Sequence, residues 1–169
     1  MRTPVYATAA GELTLALALP TLRSAGFAGR LASAPRDPVY VCDTHAFIWW
    51  ATRRPALGRR AARIFARAER GVDEIRLPAV SVFEIALLLE RGRLRTALGW
   101  DAWCAALRTT PGVAVEPIGL DDAAWAASLA SLVDPFDRLI AAVARRLDVP
   151  LMTSDERIGA SGLVPVVWT

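Results

Sequence analysis

Short, apolar runs that alternate with helical segments constrain the fold of this 169-residue chain more than any other feature. The run 38–42 is apolar without alternation, which is typical of a strand buried on both faces of a parallel sheet. Further strands are predicted at 74–78, 113–118, 150–154 and 164–168. Helices are predicted at 44–51, 57–70, 81–91, 100–108, 121–132 and 135–147. This order predicts a three-layer α/β sandwich with a mostly parallel central sheet flanked by helices.

Composition places the chain among folded globular proteins, because 54% of its residues are hydrophobic and 22% are charged. All 20 basic residues are arginine, and the net charge of +3 is compatible with a polyanionic partner without demonstrating one. The absence of a long apolar run predicts no membrane span. The two cysteines, Cys42 and Cys104, are expected to be reduced thiols, as in a cytoplasmic protein.

The N-terminal part of the chain differs in character from the rest. Residues 1–37 are predicted to be a poorly ordered extension, and residues 38–169 to be the folded domain. A signal peptide is the alternative, since Ala-Ser-Ala at 32–34 resembles a cleavage site. Arginines lie between that tripeptide and the apolar stretch 13–19, however, and these are the wrong flanking residues for a signal peptide.

Four acidic residues occupy positions where an isolated charge would be unfavourable. They are Asp43, Glu84, Asp137 and Asp155. Removing a carboxylate from water costs several kcal/mol unless another group compensates. Asp43 and Asp155 directly follow predicted strands, and ligands of parallel sheets bind beyond the carboxyl ends of the strands. A shared divalent cation would compensate all four charges together.

Each acidic residue also has a simpler interpretation. Asp43 and Asp155 are suited to cap the helix that follows, and for Asp43 alone the two interpretations are equally supported. Asp137 is able to complete a capping box with Asp134, which precedes a proline and is predicted to be a structural cap. Glu84 would need an arginine partner if it bound no metal. Its helix is apolar on nearly every face, which predicts burial and favours the metal role.

The chemistry of the four side chains indicates which ion they would hold. Oxygen ligands without thiolate or imidazole favour Mg²⁺, or Mn²⁺, over zinc. His45 lies two residues beyond Asp43 and is predicted to form a local hydrogen bond rather than to bind metal. One or two such ions would activate a water molecule for hydrolysis.

Four segments resemble, in order, the successive motifs of PIN-domain ribonucleases, and VapC toxins of bacterial type II toxin–antitoxin pairs in particular. The segments are VCDTHAFIWW, SVFEIALLLERGRL, DPFDRLIAAVA and MTSDERI. The resemblance covers residues 38–169, and the N-terminal extension departs from the family pattern. It implies a metal-dependent endoribonuclease in which Asp43, Glu84, Asp137 and Asp155 bind the ion and catalyse RNA cleavage. It also implies a homodimer and a cognate antitoxin that covers the acidic groove.

An acidic pocket repels RNA, so basic residues around it are expected to supply affinity. Arg138, next to Asp137, is predicted to lie at the pocket rim, and Arg91 and Arg93 follow the helix that carries Glu84. A stripe of four arginines at helical spacing is a further candidate, although a solvated helix face explains it better. The stripe consists of Arg59, Arg63, Arg67 and Arg70.

Two other functions fit the same fold. The first is a PIN-like module that binds RNA or protein without cutting it, and the buried acidic quartet argues against it. The second is a structure-specific DNA nuclease, for which the short loops leave little room. Nucleotide hydrolysis is not expected, because no P-loop or dinucleotide-binding glycine motif occurs. The sequence does not specify the RNA target, the antitoxin or the number of ions.

Overall fold

The structure is a computed structural model that describes residues 38–169 and, for the backbone alone, residues 13–15. Its helices are α1 (Thr44–Ala51), α2 (Arg59–Ala68), α3 (Ala79–Glu90), α4 (Trp100–Arg108), α5 (Leu120–Ser128), α6 (Pro135–Leu147) and α7 (Glu156–Ser161). Its strands are β1 (Leu13–Leu15), β2 (Val39–Cys42), β3 (Glu74–Pro78), β4 (Leu94–Thr96), β5 (Val113–Glu116), β6 (Leu151–Met152) and β7 (Val166–Val167). Within these residues no helix is long and apolar enough to cross a membrane.

Five strands form one parallel sheet in the order β5-β3-β2-β6-β7. Strand β2 is central, and Val41 is in register with Arg76 of β3 on one side and with Leu151 of β6 on the other. The chain leaves β2 toward β3 and returns later to β6, so the strand order reverses at β2. Such a reversal opens a crevice at the carboxyl ends of the strands, where ligands of this architecture bind.

Two separate hydrophobic cores cover the two faces of the sheet. Val41 and Leu151 contribute to one core, with α6, while their neighbours Cys42 and Met152 contribute to the other, with α1, α2 and α4. This division follows from the alternation of side chains along a strand. It confirms the predicted three-layer sandwich and explains why the central strands β2 and β6 carry no charged residue.

Helix α3 differs from its sequence-based prediction. We expected burial on every face, but Phe83 is 57% exposed. The buried positions form a single stripe at helical spacing, consisting of Ser81, Glu84, Ile85 and Leu88. The reason is that α3 fully buries only the side that carries this stripe, so Phe83 is exposed and the remaining leucines are partly buried. Glu84 nevertheless falls on the buried side.

Three short elements were not predicted. Strands β1 and β4 pair in parallel, with Leu13 opposite Leu94, and form a second, two-stranded sheet. Strand β1 falls within the extension 1–37, most of which lies outside the described residues, so the proposed boundary at residue 38 stays a prediction. Helix α7 has only six residues, which is too short for a periodic pattern to identify.

Candidate active site

The carboxyl ends of the two central strands meet at Asp43 and Thr153. The backbone N–H of Asp43 donates to the carbonyl oxygen of Met152 at 3.0 Å. The hydroxyl of Thr153 donates to Oδ2 of Asp43 at 2.7 Å, and both side chains are buried. Asp43 occupies the N-cap position of α1. The Thr153 hydroxyl holds its carboxylate at the tip of β2.

His45 lies against the same carboxylate. Its Nδ1 is 3.7 Å from Oδ2 of Asp43, which is close enough for an ion pair but longer than a hydrogen bond, so the predicted local hydrogen bond of His45 stays a prediction. Burial acts to raise the pKa of Asp43. Polar contacts with His45 and Thr153, together with the charge of His45, outweigh burial and lower this pKa. Burial acts to lower the pKa of His45, while Asp43, Glu84 and Asp137 raise it above its usual value. The imidazole therefore lies in a strongly negative environment.

Asp137 shows that the acidic side chains lie close to one another. Its pKa is raised to about 8, first by burial and then by the charges of Asp43, Asp134, Asp155 and Glu84. Burial is the largest of these causes, and the four neighbouring charges add to it because all of them lie within electrostatic range of Asp137. The structure thus brings Asp137 into one group with the three other predicted site residues.

Glu84 belongs to the inner side of this group. Only 8% of it is exposed, and its charge raises the pKa of both His45 and Asp137. It reaches the group from the middle of α3, whose first residue directly follows the carboxyl end of β3. The burial predicted for Glu84 is thus confirmed, whereas its role in metal binding stays a prediction.

Two of the acidic residues also cap helices. Oδ1 of Asp155 accepts from the backbone N–H of Arg157 at 2.7 Å and of Ile158 at 3.3 Å, at the start of α7. Asp134 accepts from the N–H of Phe136 at 2.8 Å, which confirms its predicted structural role at the start of α6. Asp155 therefore caps α7, as its simpler interpretation predicted. Its charge also acts on Asp137.

Buried hydroxyls next to the acidic residues lack partners within the described part of the chain. Thr44 Oγ1, beside Asp43, and Ser81 Oγ, one helical turn before Glu84, are both buried without a hydrogen bond. Buried polar groups are normally satisfied, and those that are not require an explanation. A hydrated ion or a phosphate group at the site would offer the missing partners.

The donor atoms fit a hard divalent cation, but they are not preassembled. All four acidic residues offer carboxylate oxygens, which suit Mg²⁺ or Mn²⁺. Among residues 13–15 and 38–169, however, no three acidic, histidine or cysteine side chains are close enough to hold an ion as they stand. Binding of one ion by all four would require the carboxylates to approach one another further, and their mutual repulsion would oppose this approach in the absence of a cation.

The arginines that we predicted to bind RNA lie at different distances from the acidic group. Arg138 is half-buried, and its Nε donates to the carbonyl oxygen of Leu132, so it anchors the loop before α6. Arg91 and Arg93 are exposed just beyond α3. At a helical rise of 1.5 Å per residue, Arg91 lies about 10 Å along the axis from Glu84. RNA contacts of these arginines stay predictions.

Of the arginine stripe, Arg67 binds the buried carboxylate of Asp73 through two hydrogen bonds.

An aromatic pair beside the acidic group was missed. Phe136 is only partly buried, and its ring stacks on Phe83 with 6.3 Å between centroids and 28° between planes. The available signal was positional, because each phenylalanine directly precedes an acidic residue, Glu84 or Asp137, in its motif. Exposure of Phe83 could not be inferred from a helix that is apolar on nearly every face.

Replacing Thr153 by Val is expected to destabilise the protein by about 2 kcal/mol, because a buried carboxylate loses a charge-assisted hydrogen bond. The N–H of Asp155 would also lose the Thr153 hydroxyl that it contacts at 3.0 Å. Urea unfolding provides the measurement. Thr52→Val is the matched control, since Thr52 donates only to a neutral carbonyl, that of Ile48. Equal losses in both variants would show that Thr153 does not stabilise the Asp43 charge.

The acidic group lies where the strand order of the five-stranded parallel sheet reverses. Comparisons with known proteins identify the class of protein to which this fold belongs. Residues 40–160 match the PIN domain family. The chain belongs to this family, in its VapC branch, because it is 32% identical over 123 residues to Ribonuclease VapC22 of Mycobacterium tuberculosis. That alignment covers 69% of this chain and 86% of the relative.

Solved structures show the same fold at low sequence identity. VapBC2 of Rickettsia felis, bound to a DNA fragment from its promoter, superposes with a TM-score of 0.57 at 10% identity. VapC20 of Mycobacterium tuberculosis, a toxin that cleaves the sarcin–ricin loop, superposes with a TM-score of 0.51 at 22% identity. Each alignment covers 78% of this chain and 99% of the other. These similarities support the fold and not a particular target.

Proposed function

We propose that this chain is a Mg²⁺-dependent endoribonuclease that acts as the toxin of a type II toxin–antitoxin pair, with Mn²⁺ as the alternative ion. The observation that supports the proposal is that the charges of Asp43, Glu84 and Asp155 all act on Asp137, where burial and these charges raise the pKa of Asp137 to about 8. The relationship to a protein named as a ribonuclease supports RNA as the substrate.

The four carboxylates would hold the ion, and the rest of the site prepares them for it. When bound, Mg²⁺ supplies Lewis-acid stabilisation of the charge that develops on phosphate and activates water. Thr153 fixes the orientation of Asp43 through its 2.7 Å hydrogen bond, so one ligand is positioned before binding. His45 balances negative charge beside Asp43 while the carboxylates are apart.

Solved structures of similar proteins support the proposed partners. Similar structures include VapBC toxin–antitoxin assemblies from Rickettsia felis and Haemophilus influenzae. We therefore propose a cognate antitoxin that covers the acidic groove, a homodimeric toxin and a cytoplasmic location. Because acidic side chains repel RNA, arginines at the periphery, such as Arg91, Arg93 and Arg138, would supply the attraction for phosphates.

Removing the metal provides the direct test. Purified protein is expected to cleave single-stranded RNA in Mg²⁺, to lose activity when EDTA is added, and to recover it when excess Mg²⁺ or Mn²⁺ is restored. Gel electrophoresis of end-labelled RNA measures the cleavage. Cleavage that persists in EDTA would contradict metal dependence. Binding of RNA without cleavage in any divalent ion would favour the non-catalytic PIN-like module instead.

A further inference from the structure

Two phenylalanines form a small aromatic surface at the edge of the acidic group. Phe83 directly precedes Glu84 on α3, and Phe136 directly precedes Asp137 on α6. Their rings stack on each other and so bridge the two helices that carry these carboxylates. Phe83 remains 57% exposed even though Phe136 packs against it. A large part of the Phe83 ring therefore faces solvent beside the candidate active site.

An exposed phenylalanine is unfavourable unless something covers it. Burying such a side chain contributes roughly 1.5–3 kcal/mol, so a ring left in water at a functional site suggests a binding role. The position limits what the ligand is. A nucleotide whose phosphate lies at the carboxylates has its base only one sugar away, and the flat face of that base matches the flat face of a phenyl ring.

The size of the surface favours a base over a protein. A stable protein interface buries about 800 Å² on each partner, whereas two rings provide a small part of that area. The other large exposed aromatic side chain in the described part of the chain, Trp100, is on α4 and stacks on Trp103. The surface formed by Phe83 and Phe136 is continuous with the acidic group, since each phenylalanine directly precedes one of its carboxylates.

We propose that Phe83 and Phe136 form a stacking platform that holds one nucleobase of single-stranded RNA next to the phosphate to be cleaved. This inference rests on the proposed ribonuclease function and specifies how that site positions its substrate. Stacking accepts every base, because each has a π-face, so the platform fixes position more than sequence. Phe83 contacts the base directly, and Phe136 supports its ring.

The first experiment replaces the ring of Phe83 while keeping its apolar character. Phe83→Leu is expected to lower kcat/KM for cleavage of a single-stranded RNA oligonucleotide by about 10-fold, within the range observed when a stacking side chain is removed. Phe83→Trp is expected to retain activity, since it preserves a flat face. Leu120→Ala serves as the control, because Leu120 is 85% exposed at the start of α5, away from the acidic group. Equal activity of the Leu variant and the unmodified chain would overturn the proposal.

The second experiment removes the base instead of the ring. Oligonucleotides with a single abasic position are compared around the mapped cleavage site. One abasic position should slow the unmodified enzyme about as much as Phe83→Leu does, and should have little further effect on that variant, because the same contact has already been lost. Additive effects at every position would overturn the proposal, since base and ring would then act independently.

Binding measurements separate this inference from the proposed function. Fluorescence anisotropy of labelled RNA is measured with Glu84→Gln, alone and combined with Phe83→Leu. Cleavage that does not depend on Phe83 would contradict the platform and support the ribonuclease function. RNA binding that depends on Phe83, without cleavage by the unmodified chain, would support the platform and contradict the ribonuclease function. If Phe83→Leu alters only self-association in gel filtration, or only binding of a protein partner, the surface is a protein contact and the proposal fails.

Discussion

Replacing Glu84 by Gln is expected to lower RNA cleavage at least roughly 100-fold, a loss comparable to removing one preorganised electrostatic group from an active site. Glutamine has nearly the same shape as glutamate, so α3 should pack as before. It lacks the negative charge, however, and is a weaker ligand for a hard cation. Initial cleavage rates at saturating Mg²⁺ provide the measurement, with thermal unfolding recorded on the same samples.

Glu90→Gln is the matched control for Glu84→Gln. Glu90 lies on the same helix and undergoes the same chemical change, but it is exposed at the last residue of α3. It should leave the cleavage rate within about two-fold of the unmodified chain, as surface substitutions usually have small effects. If Glu84→Gln also retains activity, then Glu84 is a structural residue and the metal site must be assigned elsewhere.

The metal-free protein is expected to lose stability as pH rises from about 4 to about 8. The carboxyl of Asp137 has a pKa of about 8 in the folded state, against about 3.9 in an unfolded chain. Between pH 4 and pH 8 the Asp137 carboxyl is protonated in the folded state and ionised in the unfolded state. The stabilisation that this proton provides is complete below about pH 4 and is lost by about pH 8. Since Asp137 is partly exposed, the expected loss is roughly 3 kcal/mol.

Asp137→Asn isolates this effect, because asparagine has the same shape and does not titrate. The variant is expected to be more stable than the unmodified chain at pH 8 in EDTA, and the advantage should disappear toward pH 4. Asp148→Asn is the control, at the exposed left-handed residue that ends the same helix, where asparagine is well tolerated. Urea unfolding at a series of pH values provides the measurement. An equal pH dependence in all three proteins would exclude Asp137 as the titrating group.

Much of the architecture could be predicted from the sequence because the strands are short and buried on both faces. The apolar runs that contain Val41 and Leu151 identified the central strands, and the amphipathic pattern of residues 57–70 identified α2. Strand β4 was missed because its three residues include an exposed arginine and its partner β1 is distant in sequence. Pairing between distant segments leaves no local pattern to detect.

The acidic group was predicted more completely than its surroundings. Burial of Glu84 and the positions of Asp43 and Asp155 followed from local sequence, since each depends on a strand end or a helix face. The contact between Thr153 and Asp43 spans 110 positions in the chain, and its partners could not be paired in advance. The exposure of Phe83 depends on which side of α3 packs inward, and composition does not reveal this.

The capping bonds of Asp155 determine how that residue can take part in ion binding. One oxygen of its carboxylate is already occupied by the first amides of α7, which leaves the other for a cation. As a proposed metal ligand, Asp155 would offer a cation its second carboxylate oxygen while Oδ1 still accepts from the N–H groups of Arg157 and Ile158. The same side chain would then serve both the proposed ion and the first turn of the six-residue helix α7.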